Sequence, residues 1–360
     1  MSADVKPISM PVVWSDRHAG HVPGAEIWVG VRTPGTEVPE RAERIRAAVE
    51  AAGATLIAAE PHPDSDLSAV HDHALLEHLE HAWVRWEEAG LTEDPGQDRV
   101  VPYIFPTPGM LAGAEPGTPA AMSARAGLFA YDTMTLIGPG TWEAARGAAD
   151  AAMTAADLVA SGAGPTDSAY ALCRPPGHHA TREAFGGSCY LNNAALAATR
   201  LRERLGGPVA VIDIDAHHGN GTEAIFAPDP KVLTGSVHVD PGAGWFPHFL
   251  GFEDTDGEGN RNLTLSPGSG DEPWLDAIAR LAGWARASGA RALVVPLGVD
   301  AAGGDPESPL DVTVGGYGEA GRILGELGLP TVFVQEGGYV LETVGDLVVA
   351  TLRGFESGRS

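Results

Sequence analysis

Four stretches of the chain concentrate residues able to do acid, base or metal chemistry. Asp213-Ile214-Asp215-Ala216-His217-His218-Gly219-Asn220-Gly221 alternates carboxylates with imidazole, and Arg174-Pro175-Pro176-Gly177-His178-His179 presents adjacent histidines after a stiff turn. Val299-Asp300 adds a carboxylate, and Gln335-Glu336-Gly337-Gly338-Tyr339 sets a phenol behind two glycines. Side chains two apart on an extended strand face the same side. Asp215 and His217 can therefore reach one ion together, with Asp213 beneath them. Asp300 from another strand end completes a set of two carboxylates and one imidazole, suited to a catalytic divalent metal that keeps a position open for water. Zinc is the default, and iron, cobalt and manganese share the ligand types. His178 and His179 offer the base that metal-bound water needs and the acid that a leaving amine needs. Tyr339 offers a hydroxyl to a developing oxyanion. Taken singly, each has a plainer reading: strand-end acids cap turns, and a tyrosine in a loop is ordinary. Together they form a set in which buried carboxylates require a compensating charge.

Short apolar, β-branched runs end at these stretches. They are Ala169–Cys173, Val209–Ile214, Ala292–Leu297 and Thr331–Val334; Pro11–Trp14, Thr55–Ala58 and Val232–Val239 are further runs of the same kind. Between many of them lie segments of helical periodicity, such as Arg41–Ala52, Thr141–Ser161, Asn193–Leu205, Trp274–Ser288, Tyr317–Leu327 and Leu341–Phe355. That alternation predicts an α/β fold, a parallel sheet covered on both faces. Such sheets bind ligands at the carboxyl ends of their strands, where the polar stretches fall. No linker interrupts the pattern, so residues 1–360 are read as a single domain. Residues 81–125, with Trp83, Trp86, several acids and a Pro- and Gly-rich part, read as a long loop insertion at an interface or binding site.

The chain carries 23 basic and 48 acidic side chains, a formal charge of −25, and its only lysines are Lys6 and Lys231. Phosphate binding needs clustered Lys and Arg, so a nucleic-acid or anionic-membrane surface is excluded, while a cationic substrate is compatible. Cys173 and Cys189 are too few for a disulfide framework. Met1–Pro11 lacks a basic stretch followed by an apolar one, and no run reaches the roughly 18–20 apolar residues that cross a bilayer. A reduced, cytoplasmic protein is expected.

The motifs resemble those of the zinc-dependent histone deacetylase and acetylpolyamine amidohydrolase superfamily. The resemblance runs from about Pro11 to Phe355 and rests on Gly140-Thr141-Trp142-Glu143-Ala144-Ala145-Arg146, Cys173–Ala180, Asp213–Thr222 and the string FPHFLGFEDTDGE from Phe246 to Glu258. The first and last strings look closer to acetylpolyamine amidohydrolases than to nuclear histone deacetylases. The resemblance implies the arginase/deacetylase fold, with a central parallel sheet of about eight strands. It implies one Zn2+ per chain on Asp215, His217 and Asp300, with His179 as general base, His178 assisting, and Tyr339 polarising the amide carbonyl. Asp213 matches the carboxylate partner of His178, and Asn220 stands where some members have an aspartate behind the second histidine. A structural K+ is implied on main-chain oxygens of Asp215, His217 and Val237 and the side chains of Asp213 and Ser236. The implied reaction is hydrolysis of an acetyl or other acyl amide, the amine being a polyamine or similar small cation.

Two departures from the family pattern bear on the substrate. Relatives line the tunnel beside Gly187 with two rings; Phe246 matches one, but Ser188 stands where the other is expected. The site is then wider, unless Phe185 or Trp245 fills the gap. In acetylpolyamine amidohydrolases an insertion like 81–125 builds a homodimer and supplies an acid for the distal ammonium; Glu115 is the weak match here. An arginase-like ureohydrolase with two manganese ions is disfavoured, because neither His217-His218-Gly219 nor Asp300-Ala301-Ala302 provides the extra acids. A protein acyl-lysine deacetylase and a silent acyl-ligand-binding protein stand as alternatives.

Overall fold

The computed structural model describes residues 6–359 except Ala163, Pro165, Asp254 and Thr255. Eight strands form one parallel sheet: β1 Val12–Trp14, β4 Leu56–Ala58, β5 Ser168–Ala171, β6 Val209–Asp213, β7 Val232–Val239, β8 Asn260–Leu265, β9 Ala292–Leu297 and β10 Thr331–Gln335. A separate antiparallel hairpin pairs β2 Glu26–Trp28 with β3 Val31–Thr33. The sheet order is β4-β1-β5-β10-β9-β6-β7-β8. The four strands that lead into the polar stretches, β5, β10, β9 and β6, are therefore consecutive neighbours at its centre. Their parallel register brings all four carboxyl ends to one edge.

The helices are α1 Glu40–Ala51, α2 Asp64–Ser68, α3 His73–Glu88, α4 Pro108–Leu111, α5 Met122–Arg125, α6 Thr141–Ser161, α7 Asn193–Leu205, α8 Asn220–Phe226, α9 Asp271–Ala287, α10 Val314–Gly325 and α11 Val344–Gly358. Strand side chains alternate between two apolar layers, as the period of two requires. On β9, Ala292 and Val294 pack with residues of α3, α6 and α7, while Leu293, Val295 and Leu297 pack with α1, α9, α10 and α11. Burial on both faces explains why the central strands are nearly continuous apolar runs.

Two sequence expectations are revised. Residues 81–125 are not one loop: their first part completes α3, capped by the Asp72 side chain, which accepts from the Ala74 N–H. Leu75, Leu79, Ala82 and Trp86 of α3 are buried at helical spacing, so Trp86 belongs to the core. The remainder holds only the short helices α4 and α5. The eighth strand, β8, escaped the reading because Asn260, Arg261, Asn262 and Thr264 interrupt its apolar pattern. It lies at the sheet edge, where polar side chains are tolerated.

A buried ion cluster ties the amino-terminal third to the sheet edge. Glu37 accepts from Arg41 Nη1 at 2.9 Å, and its two carboxylate oxygens accept from Arg174 Nε and Nη2 at 2.8 and 2.9 Å. Burial pushes the Glu37 carboxyl up, but the two guanidinium groups outweigh it and hold the group below its usual value. Glu37→Ala strands two buried cations, and unfolding in urea should reveal a loss of about 3–5 kcal/mol. An unchanged midpoint would mean that both guanidinium groups find other partners.

Candidate metal centre and active site

β6 ends at Asp213, and the chain then turns so that Asp215 and His217 meet Asp300, which follows β9. One donor atom from each of the three lies within 4.8 Å of the others. His217 Nδ1 is 3.2 Å from Asp215 Oδ1 and 3.0 Å from Asp300 Oδ2. Donors at the corners of a tetrahedron, each about 2.0–2.1 Å from a central zinc, are about 3.3 Å apart. The trio thus has the spacing and the mixed N/O chemistry of a three-ligand catalytic zinc site, and the residues fit the metal.

The electrostatics require a cation here. Asp215 and Asp300 are 1% and 0% exposed. Burial and the neighbouring Asp215 raise the Asp300 carboxyl, whereas His178 and His217 overcome burial at Asp215 and hold it low. Burial opposes a charge on His217, yet its hydrogen bonds to both carboxylates raise it well above the usual imidazole value. No other side chain can enter this floor. A methyl group at Gly298 would lie 1.9 Å from the Asp215 carboxylate, and one at Gly337 2.4 Å from that of Asp300.

The tandem histidines follow β5 and stack beside the trio, their ring centroids 4.0 Å apart. His178 Nδ1 meets Asp213 Oδ2 at 2.9 Å, and His179 Nδ1 meets Asn220 Oδ1, at the start of α8, at 2.7 Å. These partners divide the pair. Burial works against an imidazolium at His178, but Asp213 and Asp215 raise it to about 10. Burial, the His178 charge and His217 push His179 well below the usual value. The two rings are shifted in opposite directions, His178 toward the imidazolium and His179 toward the neutral form, the separation expected of an acid and a base sharing a site. With the Asn220 oxygen facing Nδ1, that nitrogen carries the His179 proton and leaves Nε2 as the lone pair.

Tyr339 is partly buried on the loop after β10. Its ring lies over the Arg41 guanidinium, 4.5 Å from its Cζ, and its N–H donates to Asp305 Oδ2 at 2.8 Å. Arg41 also donates from Nε to the Gly338 oxygen and from Nη2 to the Glu336 oxygen. Burial raises the phenol well above its ordinary value, with Arg41 opposing and Asp300 and Asp215 reinforcing, so the hydroxyl keeps its proton.

Phe246 stands edge-on to His179, with centroids 4.8 Å apart. Gly187 and Ser188 are held opposite by the segment before α6. Asp132 Oδ2 accepts from the Gly187 N–H at 2.6 Å, and Thr135 Oγ1 accepts from that of Ser188 at 2.8 Å. Neither aromatic considered for the Ser188 gap fills it. Phe185 is buried, stacked between His78 and Tyr190, and Trp245 packs on the apolar layer of α9 and α10. The ring beside Phe246 is instead Tyr131, 6.3 Å away and nearly parallel, its hydroxyl donating to the His179 oxygen. Asp213 pairs in register with Ser236 on β7, and both line a cavity of about 10 Å³; Ser236 Oγ bonds His238 Nδ1, and Val237 is buried. Glu115 is exposed on the loop between α4 and α5. Sequence reasoning missed Glu37, Arg41, Asp132 and Tyr131, whose partners are remote in the chain; Glu336 lay inside a noted motif without a role.

The model of the histone deacetylase domain matches residues 35–355. The chain belongs to the histone deacetylase family. It is 38% identical to acetylpolyamine amidohydrolase 1 of Pseudomonas aeruginosa, over 96% of this chain and 98% of that protein. Identity to the acetylpolyamine amidohydrolase of Mycoplana ramosa is 37%, over 96% and 99% of the two chains. The crystal structure of an acetylpolyamine aminohydrolase from Burkholderia pseudomallei superposes with a TM-score of 0.89 at 36% identity, covering 97% of this chain and 99% of that one. This family member has the arginase/deacetylase fold and is a hydrolase of amide bonds. No helix among the described residues is long and apolar enough to cross a membrane.

Asp300→Asn replaces an anionic donor by a neutral amide and removes one of the two carboxylate charges. Divalent-metal affinity, measured by competition with a chromophoric chelator, should fall by more than about 100-fold, because even groups outside the ligand set are worth about 10–100-fold. Wild-type affinity in this variant would remove Asp300 from the ligand set.

Proposed function

We propose that the protein is a zinc-dependent amidohydrolase that deacylates an acylated polyamine or a similar small cationic amide. The observation that carries this reading is the tandem pair His178 and His179, held by Asp213 and Asn220 beside the Asp215–His217–Asp300 trio. The near-full-length similarity to proteins named acetylpolyamine amidohydrolases supports the amine class.

Asp215, His217 and Asp300 would hold the zinc, which when bound supplies Lewis acidity toward an amide carbonyl and its attacking water. His179 Nε2 takes the proton from that water while Asn220 fixes the ring. The Tyr339 hydroxyl, kept protonated and seated on Arg41, donates to the oxyanion. The leaving amine receives its proton from the histidine pair, with His178 as the charged member. Asp213 and Ser236, with main-chain oxygens of Asp215, His217 and Val237, would hold a structural potassium ion behind the histidines. The register of β6 on β7 supports this by setting the two side chains at one cavity.

Ser188 itself contributes no ring beside Gly187, although Tyr131 lies nearly parallel to Phe246, and the small side chain at 188 favours an acyl group or amine bulkier than that of acetylputrescine. Tyr103 and Met110, exposed in residues 81–125, support that segment as the contact between two copies of the chain. Both cysteines are free and buried, in keeping with a reducing cytoplasm.

Tyr339→Phe should keep its metal and lose about 100-fold in kcat, the usual worth of one oxyanion donor; an unchanged kcat would remove the phenol from the mechanism. Asn220→Asp places a carboxylate behind His179 and should raise its pKa by about 1–3 units. The base must be neutral to act, so the acid limb of the kcat/KM profile moves to higher pH by that amount; a fixed limb would exclude His179 as the base. A turnover panel of acetylated putrescine, cadaverine and spermidine against an acyl-lysine peptide, with zinc and potassium supplied, tests the substrate class. A large preference for the peptide would overturn the polyamine reading. In the same panel Ser188→Phe should shift preference toward the slimmest substrates, and an unchanged profile would show that residue 188 does not shape the tunnel.

A further inference from the structure

Glu336 is fully buried between the two halves of the site and has no part in the chemistry above. Its carboxyl oxygen Oε2 accepts from the main-chain N–H of Gly177 at 2.6 Å and of His178 at 3.1 Å. Its own carbonyl accepts from Arg41 Nη2 at 2.7 Å and Gln335 Nε2 at 3.1 Å, and its N–H donates to the Leu297 oxygen. The residue therefore touches three of the four strand ends. It terminates β10, pairs with the end of β9, and grips the turn that follows β5. Arg41 is the same side chain that carries the Tyr339 ring and binds the Gly338 oxygen. The second oxygen, Oε1, is buried without a hydrogen-bond partner among the described residues, on the side of His178 and Cys189.

We infer that Glu336 is a positioning residue, setting the tandem-histidine turn at a fixed distance from the Tyr339 loop through its paired acceptance from Gly177 and His178. The carbonyls of the turn have other partners, that of His178 accepting from the Gly221 and Thr222 N–H groups, but the N–H groups of Gly177 and His178 go to Glu336. Two prolines precede it, and proline offers no N–H by which a neighbouring strand could hold it. Glu336 is the one residue between the end of β10 and Gly337, which lies against Asp215 and Asp300, and its side chain spans the gap to the turn after β5. Burial pushes the carboxyl up to about 8, against the opposing charge of His178. Both N–H groups are met by a single carboxyl oxygen at the full length of the side chain, so reach is the property assigned to it.

Two conservative variants separate reach from charge. Glu336→Gln keeps the length and an oxygen acceptor and removes the charge. Glu336→Asp keeps the carboxylate and withdraws it by one methylene. Amide hydrogen exchange over residues 174–180 of the zinc-loaded protein reads the contact directly and needs no substrate. Gln should retain the protection of the Gly177 and His178 amides and keep kcat within about threefold of wild type. Asp should lose that protection, and kcat should fall about 100-fold, the scale of a misplacement near 1 Å. KM and zinc content should stay within about twofold in both. The reverse order, with Asp like wild type and Gln impaired, would overturn the inference in favour of a charge effect. Wild-type exchange and turnover in both variants, or a loss confined to KM or zinc content, would overturn it as well. If the Asp variant does not fold, the Gln variant decides alone: lost protection or turnover there refutes the assignment. The inference rests on the histidines acting in the reaction. An inactive wild type in the substrate panel would refute that reading while leaving the exchange result to judge Glu336.

Discussion

Two carboxylates, Asp215 and Asp300, lie side by side out of water at the end of a parallel sheet. Neither can be charged there without a nearby cation, because removing an ion from water is costly unless it is paired. Much of the surrounding structure answers that demand. His217 binds both oxygens, His178 approaches Asp215 to 3.8 Å, and the Gly337 and Ala216 N–H groups donate to the two carboxylates. A divalent ion held by the trio would add further positive charge against the pair. The opposite shifts of His178 and His179 follow from the same source. Negative charge below favours a proton on one ring, while burial first, and then the charge of His178, disfavours one on His179.

A second buried charge system works at longer range. Glu37 holds Arg41 and Arg174, and each guanidinium serves a different catalytic segment. Arg174 opens the histidine turn, while Arg41 underlies the tyrosine loop. The carboxylate stands between α1 and β5, so the helix that covers one face of the sheet also sets the spacing of the two loops at its edge. This arrangement couples tertiary packing to the placement of both loops.

How much of this could be read from the sequence follows from the range of each interaction. Asp215 and His217 were legible from their spacing of two, although β6 ends at Asp213 and it is the bends after it, not a continuing strand, that bring the two together. The central strands were legible because burial on both faces forces apolar runs, as in Val232–Val239 and Ala292–Leu297. β8 was hidden because an edge strand need satisfy only one neighbour, and its Asn260, Arg261 and Asn262 read as loop. α3 was hidden because its two tryptophans suggested a binding segment, although Trp86 at helical spacing is a core residue. Glu37 looked like a surface glutamate, since nothing local marks a charge whose partners lie at Arg41 and, far along the chain, at Arg174. Tyr131 was missed for the same reason: its neighbour Phe246 is remote, and only the folded chain shows that Phe185 and Trp245 point elsewhere. Glu336 stood in plain view beside Tyr339, but its role depends on a turn contributed by β5.

The glycines that floor the site, Gly298 and Gly337, leave no volume for even one added carbon against the two carboxylates. Heritable variation is thereby channelled. A side chain at either position would meet the carboxylates, whereas Ser188 can change with the floor intact. A lineage built on this chain can explore new amines and acyl groups by drift at the rim while its chemistry stays fixed. A directed-evolution library would do best to leave both glycines untouched and spend its diversity on the mouth.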